Sequence, residues 1–436
     1  MTSFTDQHAL TVIAPILAQK RSLLEKLLKD INKDVEANKL MPFKEATGVH
    51  FCRFVIIPPL EKSKINDYIP AQLAYSTNFD ESLEAHLAVI TGSGFINGFQ
   101  AVFSCCAGFD SQLPAAEAIE KFVNDFKQPI HTFYRGHRGF SVALIQQQEA
   151  LYGHIQNFID ANAATIRKLN PQQIHERLKQ KFGSQKGEAI QDKLPNGKAF
   201  VRKIAFSLVV LVAVLYYFKL LFPLLLIIGI LLCLVLSRLR WFEQRDPEIA
   251  EKTVLTEMKE ISRLVEREDR IVQNQLSHLV VLKPFLFRRI VQRVGLWVLN
   301  QSAIHYYNKG QLGDIQTIHF ARWATIDNDR RMIFFSNFDG SWESYLGDFV
   351  DCAATGLNLA WANSALFPRT SHLLWGGAQT EALFKKYTRV NQIETQVWYS
   401  AYKSLTVRNI LNNYHIATGL GTEMTDEECK KWLKRF

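Results

Sequence analysis

The chain has 436 residues, enough for two or three domains and a sizeable core. Apolar residues make up 47% and charged residues 21%, which excludes general disorder. The formal charge of +9 implies an anionic neighbour, either nucleic acid or a membrane bearing anionic lipid. The six cysteines form no CxxC and no Cys/His cluster, so the sequence predicts reduced, packed thiols and no structural zinc. "MTSFTDQHAL" lacks the basic and apolar regions of a cleavable signal peptide.

In chain order, a short strand over 8–14 leads to a helix over 16–38. Leu17, Leu24, Leu27, Leu28, Ile31 and Val35 give that helix one apolar stripe. "HFCRFVII" from His50 is a strand apolar on alternate positions. A strand over 73–77 follows and ends in "STNFDES", and a helix opens after Asp80. "EAIEKFVNDF" is an amphipathic helix, and "TFY" (Thr132–Tyr134) is a last strand. Residues 146–169 continue with helical periodicity.

Ile204 to Leu236 is almost wholly apolar, with Lys219 its one charge. As a single helix it would run roughly 50 Å, against a hydrocarbon core of about 30 Å. Lys219 and Pro223 near its middle favour a turn, because a mid-bilayer lysine and a helix-interior proline are both unfavourable. Basic residues flank both ends (Lys198, Arg202 and Lys203; Arg238 and Arg240), which places both ends on the cytoplasmic side. A short hairpin that dips in and returns is therefore expected, with one tilted span as the alternative. A helix over 246–275, with Asp246 as N-cap and Pro247 in its first position, follows as a stalk.

The words then return. "HLVVLKP" (278–284) echoes "HALTVIAP" (8–15), aligned by Pro15 with Pro284. "HFARWATI" echoes "HFCRFVII", with His50 and His319 at the same spacing of 269. "SNFDGS" and "VWYSAYKSLTVRNI" echo "TNFDES" and "TFYRGHRGFSVALI". Asn328-Asp329-Arg330 marks a tight turn before the strand over 332–336. Repetition decides the fold expectation. The class is α+β, with two tandem ferredoxin-like βαββαβ repeats joined through a helical linker and an inserted membrane hairpin. The expected boundaries are 1–145, a linker at 146–203, the hairpin at 204–242, a stalk at 243–277, the second repeat at 278–415 and a tail at 416–436.

Element order and duplication together resemble the dimeric α+β barrel superfamily, which includes dye-decolourising peroxidases and chlorite dismutases. The longer words are also similar to bacterial proteins of unassigned function that share HFARW…SNFDGS…VWY. The resemblance implies a pseudo-twofold barrel on the cytoplasmic face of a bacterial inner membrane. It implies a peroxidase-like oxidoreductase acting on a lipophilic substrate, with haem as the cofactor. The alternatives are a non-catalytic membrane protein binding a small hydrophobic or anionic ligand or a partner, and a self-assembling homo-oligomeric scaffold. No nucleic acid is expected.

Candidate site residues come from the repeated words. His and Arg three apart on a strand face opposite sides, unless a bulge intervenes. Arg53 and Arg322 could grip a carboxylate or a haem propionate in the barrel, or cap carbonyls and pair with Asp80 and Asp339. His50 and His319 are ligand or acid–base candidates, or satisfied strand-end residues. Asp339, in "FDG", resembles the catalytic aspartate of the peroxidases and also suits an N-cap; Asn337 suits the turn. Tyr134 and Tyr399 read as core aromatics or ligand-stacking groups. "RGHRG" (135–139) could contact phosphate. "GSGFING" (92–98) lacks the βαβ setting of a dinucleotide loop, and Gly94 and Gly356 read as close helix contacts. Helix 285–308 is basic and aromatic, suited to the core or to lipid headgroups.

Overall fold

The computed structural model describes residues 4–62, 67–187, 189–247, 271–312 and 314–436. The stalk helix expected over 246–275 lies largely outside them.

The architecture is mixed α+β with antiparallel sheets. The first half supplies β1 (Gln7–Pro15), α1 (Arg21–Lys33), β2 (Val49–Ile57), β3 (Gln72–Asp80), α2 (Leu83–Ile90), α3 (Ile96–Phe103), α4 (Ala115–Phe126) and β4 (Thr132–Arg135). Helices α5 (Val142–Ala161), α6 (Ala163–Ile166) and α7 (Pro171–Phe182) lead to two long apolar helices, α8 (Gly197–Tyr217) and α9 (Leu221–Glu243). The second half supplies β5 (Gln273–Val281), α10 (Leu286–His305), β6 (Ile318–Ile326), β7 (Arg331–Asp339) and α11 (Trp342–Trp361). It continues with the two-residue strands β8 (Thr370–Ser371) and β9 (Trp375–Gly376), then α12 (Glu381–Val390), β10 (Val397–Ser400), α13 (Val407–Gly419) and α14 (Asp426–Leu433).

The strand order is β1-β3-β2-β10 in one sheet and β4-β6-β7-β5 in the other. The last strand of each half therefore closes the sheet of the other half. A self-contained βαββαβ unit would keep that strand, and this exchange departs from the expectation. The two sheets are built alike. Gln7 stands opposite Asp80 in one, and Gln273 opposite Asp339 in the other. That register matches β1 to β5 at a spacing of 266, so Pro15 corresponds to Val281 and not to Pro284. The two prolines do not correspond, because Pro15 is the last residue of β1 while Pro284 lies three residues beyond the end of β5. The second half accordingly begins at Gln273.

The inner faces meet over an apolar layer that includes Ile13, Val55, Ile57, Ala324, Ile333 and Phe335. The outer faces carry separate cores under the helices of each half. The turn joining β6 to β7 takes positive φ at Asp327, Asn328 and Asp329, residue types that tolerate it. A Cβ at Gly94 would make only ordinary contacts, 3.7 Å from Glu45 Oε2 and 3.9 Å from Pro42 Cγ. Gly98 is the crowded glycine, where a Cβ would lie 2.4 Å from the Leu40 carbonyl oxygen.

Helices α8 and α9 are long and apolar enough to cross a membrane, at about 32 and 35 Å. Both extend beyond the apolar block into its flanks, so each exceeds the short arm of a dipping hairpin. Lys219 takes φ 57° in the turn between them, where the sequence placed the break. Their bases are fastened to opposite ends of α10. Phe200 stacks on His305 at 3.9 Å, while Phe242 packs on Phe285 and Phe287. Beside Phe242, Asp246 binds Lys283 at 2.7 Å and Arg288 at 2.6 Å.

His278 occupies the position of Val12 in the other sheet. Its ring lies edge-on to Trp361 and Tyr387, and neither nitrogen has a partner among the described residues. Burial pushes its pKa down to about 3. The unfolded chain binds a proton near pH 6.5 that the folded chain refuses. Stability therefore falls below that pH by about 1.4 kcal/mol per pH unit from this group. His278→Val is expected to be at least as stable at pH 7 and to flatten that decline between pH 5.5 and 4, read from urea midpoints. A decline parallel to the parent's would contradict this account.

Candidate functional site

The repeated words meet between the sheets. A bulge in β2, at the register shift between Val49 and Phe51, turns His50 inward with Phe51 and Arg53, and β6 repeats it at His319. The strict alternation that would set His and Arg on opposite faces is broken there.

His50 Nε2 lies 2.9 Å from Asp80 Oδ1, and His319 Nε2 lies 2.7 Å from Asp339 Oδ1. The second carboxylate oxygens accept from backbone N–H groups, Asp80 from Val142 and Asp339 from Val407, each at 2.8 Å. These amides open α5 and α13, and helix N-termini favour negative charge. The expected caps are thus displaced. Ser82 and Ser341 cap the helices that follow the NFD words, and the aspartates serve α5 and α13 instead.

Two residues outside the expected set join the aspartate–histidine pairs. Tyr402 Oη lies 2.7 Å from His50 Nδ1 and 3.2 Å from His137 Nε2. His137 Nε2 lies 3.4 Å from His319 Nδ1, and Gln7 Nε2 approaches His137 Nδ1 at 3.3 Å. One proton assignment satisfies the chain. The histidines are neutral, His50 and His319 donate to the aspartates, and Tyr402 donates to His50. His137 donates from Nε2 and accepts from Gln7. Burial, and then the neighbouring His319 and His50, push the His137 pKa well down, in keeping with a neutral ring. All three rings are at most 1% exposed. A buried network of this kind favours one arrangement of the two sheets, with Gln7 Oε1 its one atom without a partner among the described residues. Tyr402 and His137 are partners at the spacing of 265 seen in the last-strand words; their chemical difference hid the match.

"RGHRG" does not present a phosphate contact. His137 is buried, Arg135 donates to the Gln7 carbonyl at 2.9 Å, and Arg138 donates to the Ile304 carbonyl at 3.2 Å.

Arg53 and Arg322 cross between the sheets in opposite directions. Arg53 donates to the carbonyls of Leu276 (2.9 Å) and Ser336 (2.8 Å), and to Asn337 Oδ1. Arg322 donates to the carbonyls of Thr77 (3.0 Å) and Leu10 (3.2 Å), and to Ser76 Oγ. Neither meets Asp80 or Asp339. Both guanidiniums lie near the Phe335 ring. Burial lowers both pKa values, that of Arg322 to about 9, and Arg322 further depresses Arg53. These contacts match the carbonyl-capping alternative. Asn337 also accepts from Trp398 Nε1 at 3.0 Å.

Haem needs an axial nitrogen facing open space. Both ring nitrogens of His50 and of His319 are already engaged within the protein, so neither fits that role here. Among the described residues, no group of three or more His, Cys, Asp or Glu side chains is placed to hold a metal ion.

Open space lies on the outer faces. A polar cavity of about 490 Å³ borders Tyr399, Trp398, Ser400 and Lys403. A more apolar cavity of about 590 Å³ lies between α10 and α11, over the face of β4 and β6. Tyr134, Ala321 and Trp323 form its floor, and α11 breaks its helical course beside it, at Ala353 (φ −139°, ψ 18°). Tyr134 Oη and Trp323 Nε1 are buried and have no hydrogen-bond partner among the described residues. The sequence named Tyr134 for its repetition. Trp323 stands in the repeated word where the first copy has Phe54, and nothing local announced the cavity.

The outward face of α10 is apolar. Leu286, Ile290, Val294 and Trp297 are all more than half exposed, with Arg289 and Arg293 interleaved. Of the two readings of this helix, one face serves the core and the other is free.

No family model, no curated protein and no solved structure matches the chain.

Proposed function

We propose that this is a membrane-tethered protein that holds an apolar ligand taken from the bilayer, with the two sheets paired as a pseudo-twofold barrel of two ferredoxin-like halves. The observation that carries this reading is the cavity between α10 and α11. It is of ordinary ligand-pocket size and chiefly apolar. Its α10 wall is the same helix to which both bases of the membrane-length pair are fastened. On this reading α8 and α9 form a spanning hairpin and both halves lie on the cytoplasmic side, as the basic flanks favour. Helix α10 lies along the headgroups, its stripe in the acyl boundary and its arginines beside anionic lipid. An oxidoreductase reading would need a reactive group open to substrate, and the His50–His319 network is sealed.

Gly356 lines the cavity, and an added Cβ would meet only Leu299, at 3.5 Å. Gly356→Leu also suits a helix better than glycine. In lipid nanodiscs it is expected to weaken binding of the neutral dye N-phenyl-1-naphthylamine roughly tenfold, about 1.4 kcal/mol, with Tm held or raised. Unchanged dye binding would remove the cavity as the site.

The seat of α10 has its own readout. With Cys233 and Cys352 replaced by serine, spin labels at Ile290 and Val294 are expected to collide more with oxygen than with a water-soluble nickel chelate. A label at the exposed Lys26 should show the reverse. Equal water access at all three positions would take α10 off the membrane.

A further inference from the structure

The second half carries a hairpin that the first lacks. Equivalent bonds fix the same point in each half: Ala107 N–H donates to the Pro15 carbonyl and Ala365 N–H to the Val281 carbonyl, both at 2.8 Å. From there the first half reaches α4 at Ala115, while the second reaches α12 only at Glu381. The added length holds β8 and β9, with Thr370 opposite Gly376 and Ser371 opposite Trp375. The tip between them is His372-Leu373-Leu374. His372 and Leu373 take positive φ, 55° and 60°, where asparagine and glycine are the usual occupants. Leu374 and Trp375 are 43% and 59% exposed, so neither the turn nor the core accounts for their apolar side chains.

A buried carboxylate holds this tip. Glu243, 2% exposed at the end of α9, accepts from Thr370 Oγ1 at 2.7 Å, from His372 N–H at 2.8 Å and from Leu373 N–H at 2.9 Å. Arg240, one turn earlier, lies 3.5 Å from the Glu243 carboxylate and donates to the Thr370 carbonyl at 3.1 Å. Charge-assisted bonds in a buried setting are strong, and these offset the unfavourable backbone of the tip. They fasten the hairpin to a membrane-length helix.

The attachment sets a depth. Trp375, Arg240 and Gln244 border one cleft of about 260 Å³. The apolar run of α9 ends at Leu236. Arg240 lies about 6 Å beyond it along the helix axis. Headgroups occupy roughly 5–8 Å on each side of the hydrocarbon core. With α9 spanning the membrane, Trp375 is level with the headgroups, where tryptophan is favoured. Residues 238–247 and 369–376 also bring Arg238, Arg240, Arg245 and Arg369, while their two carboxylates, Glu243 and Asp246, are buried. Trp241, 41% exposed, has Arg238 and Arg245 over its ring at 4.6 and 4.1 Å. Guanidiniums suit phosphates, and the indoles suit the apolar boundary beneath them.

Resting on the spanning reading of α8 and α9, we infer that the β8–β9 hairpin is an interfacial anchor. Glu243 holds it at the foot of α9, Leu374 and Trp375 enter the phospholipid headgroup layer, and the arginines around them meet lipid phosphates. With the α10 stripe it gives the second half a second footing on the bilayer.

The test uses the full chain, with Cys233 and Cys352 replaced by serine, in nanodiscs of mixed phosphatidylcholine and phosphatidylglycerol. A nitrobenzoxadiazole label is attached through Leu374→Cys. Leu232→Cys in the middle of α9 and Lys26→Cys on the exposed side of α1 serve as references. The Leu374 label is expected to be quenched severalfold more by a lipid with a headgroup nitroxide than by one with its nitroxide deep in the acyl chain. The Leu232 label should show the reverse order, and the Lys26 label neither. Glu243→Ala should at least halve headgroup quenching at Leu374 and leave quenching at Leu232 unchanged. A Leu374 label reached by aqueous iodide and by neither nitroxide overturns the anchor, and normal quenching at Leu232 then leaves the spanning helices standing. A Leu374 label shielded from iodide and lipid alike, as a second copy seated on the hairpin would leave it, also overturns the anchor. Headgroup quenching that survives Glu243→Ala in full overturns the role of Glu243. A Leu232 label untouched by either nitroxide overturns the membrane reading and this inference together.

Discussion

The exchange of last strands is the constraint on which the rest of the molecule depends. β4 leaves its own half to pair with β6, and β10 leaves its half to pair with β2. Each four-stranded sheet is therefore incomplete without the other half. The exchange also carries His137 and Tyr402, which follow the traded strands, into the space between the sheets. There they link the His50–Asp80 pair to the His319–Asp339 pair. The two arginines tie the same sheets along their length through carbonyls rather than carboxylates. Buried guanidiniums held this way are neither free to grip a ligand nor easily replaced, since removing either would strand several buried acceptors.

On the reading proposed above, in which α8 and α9 cross a membrane, this arrangement also bears on the topology. Halves that trade strands must fold in one compartment. Two membrane-length helices lie between them in the chain, and a pair that goes out and returns is the connection that keeps both halves together.

Much of this was legible in the sequence where a residue type has one use. The long apolar block, broken by Lys219 and Pro223, gave two helices and their turn. The repeated HFxR and NFD words marked strands of matching register. Where a residue type has several uses, the sequence misled. Pro15 ends β1 while Pro284 lies three residues past the end of β5, so their match shifted the first strands by three residues. Asp80 and Asp339 precede helices but cap others, because Ser82 and Ser341 already do that work. The bulges at His50 and His319 follow from no local signal, and they are what bring the histidines into the interior. The cavity was hidden for a different reason. Its lining is spread over β4, β6, α10 and α11, and no single stretch of sequence marks it.

The two halves thus divide their roles. The shared residues hold the sheets together, and the departures, Trp323 for Phe54 above all, shape a cavity beside the helix that joins the hairpin. The most direct measurement is an experimental structure of the full chain extracted with its native lipids, without added ligand. The account predicts elongated density between α10 and α11. A cavity closed by its own side chains, or holding only waters, would contradict it.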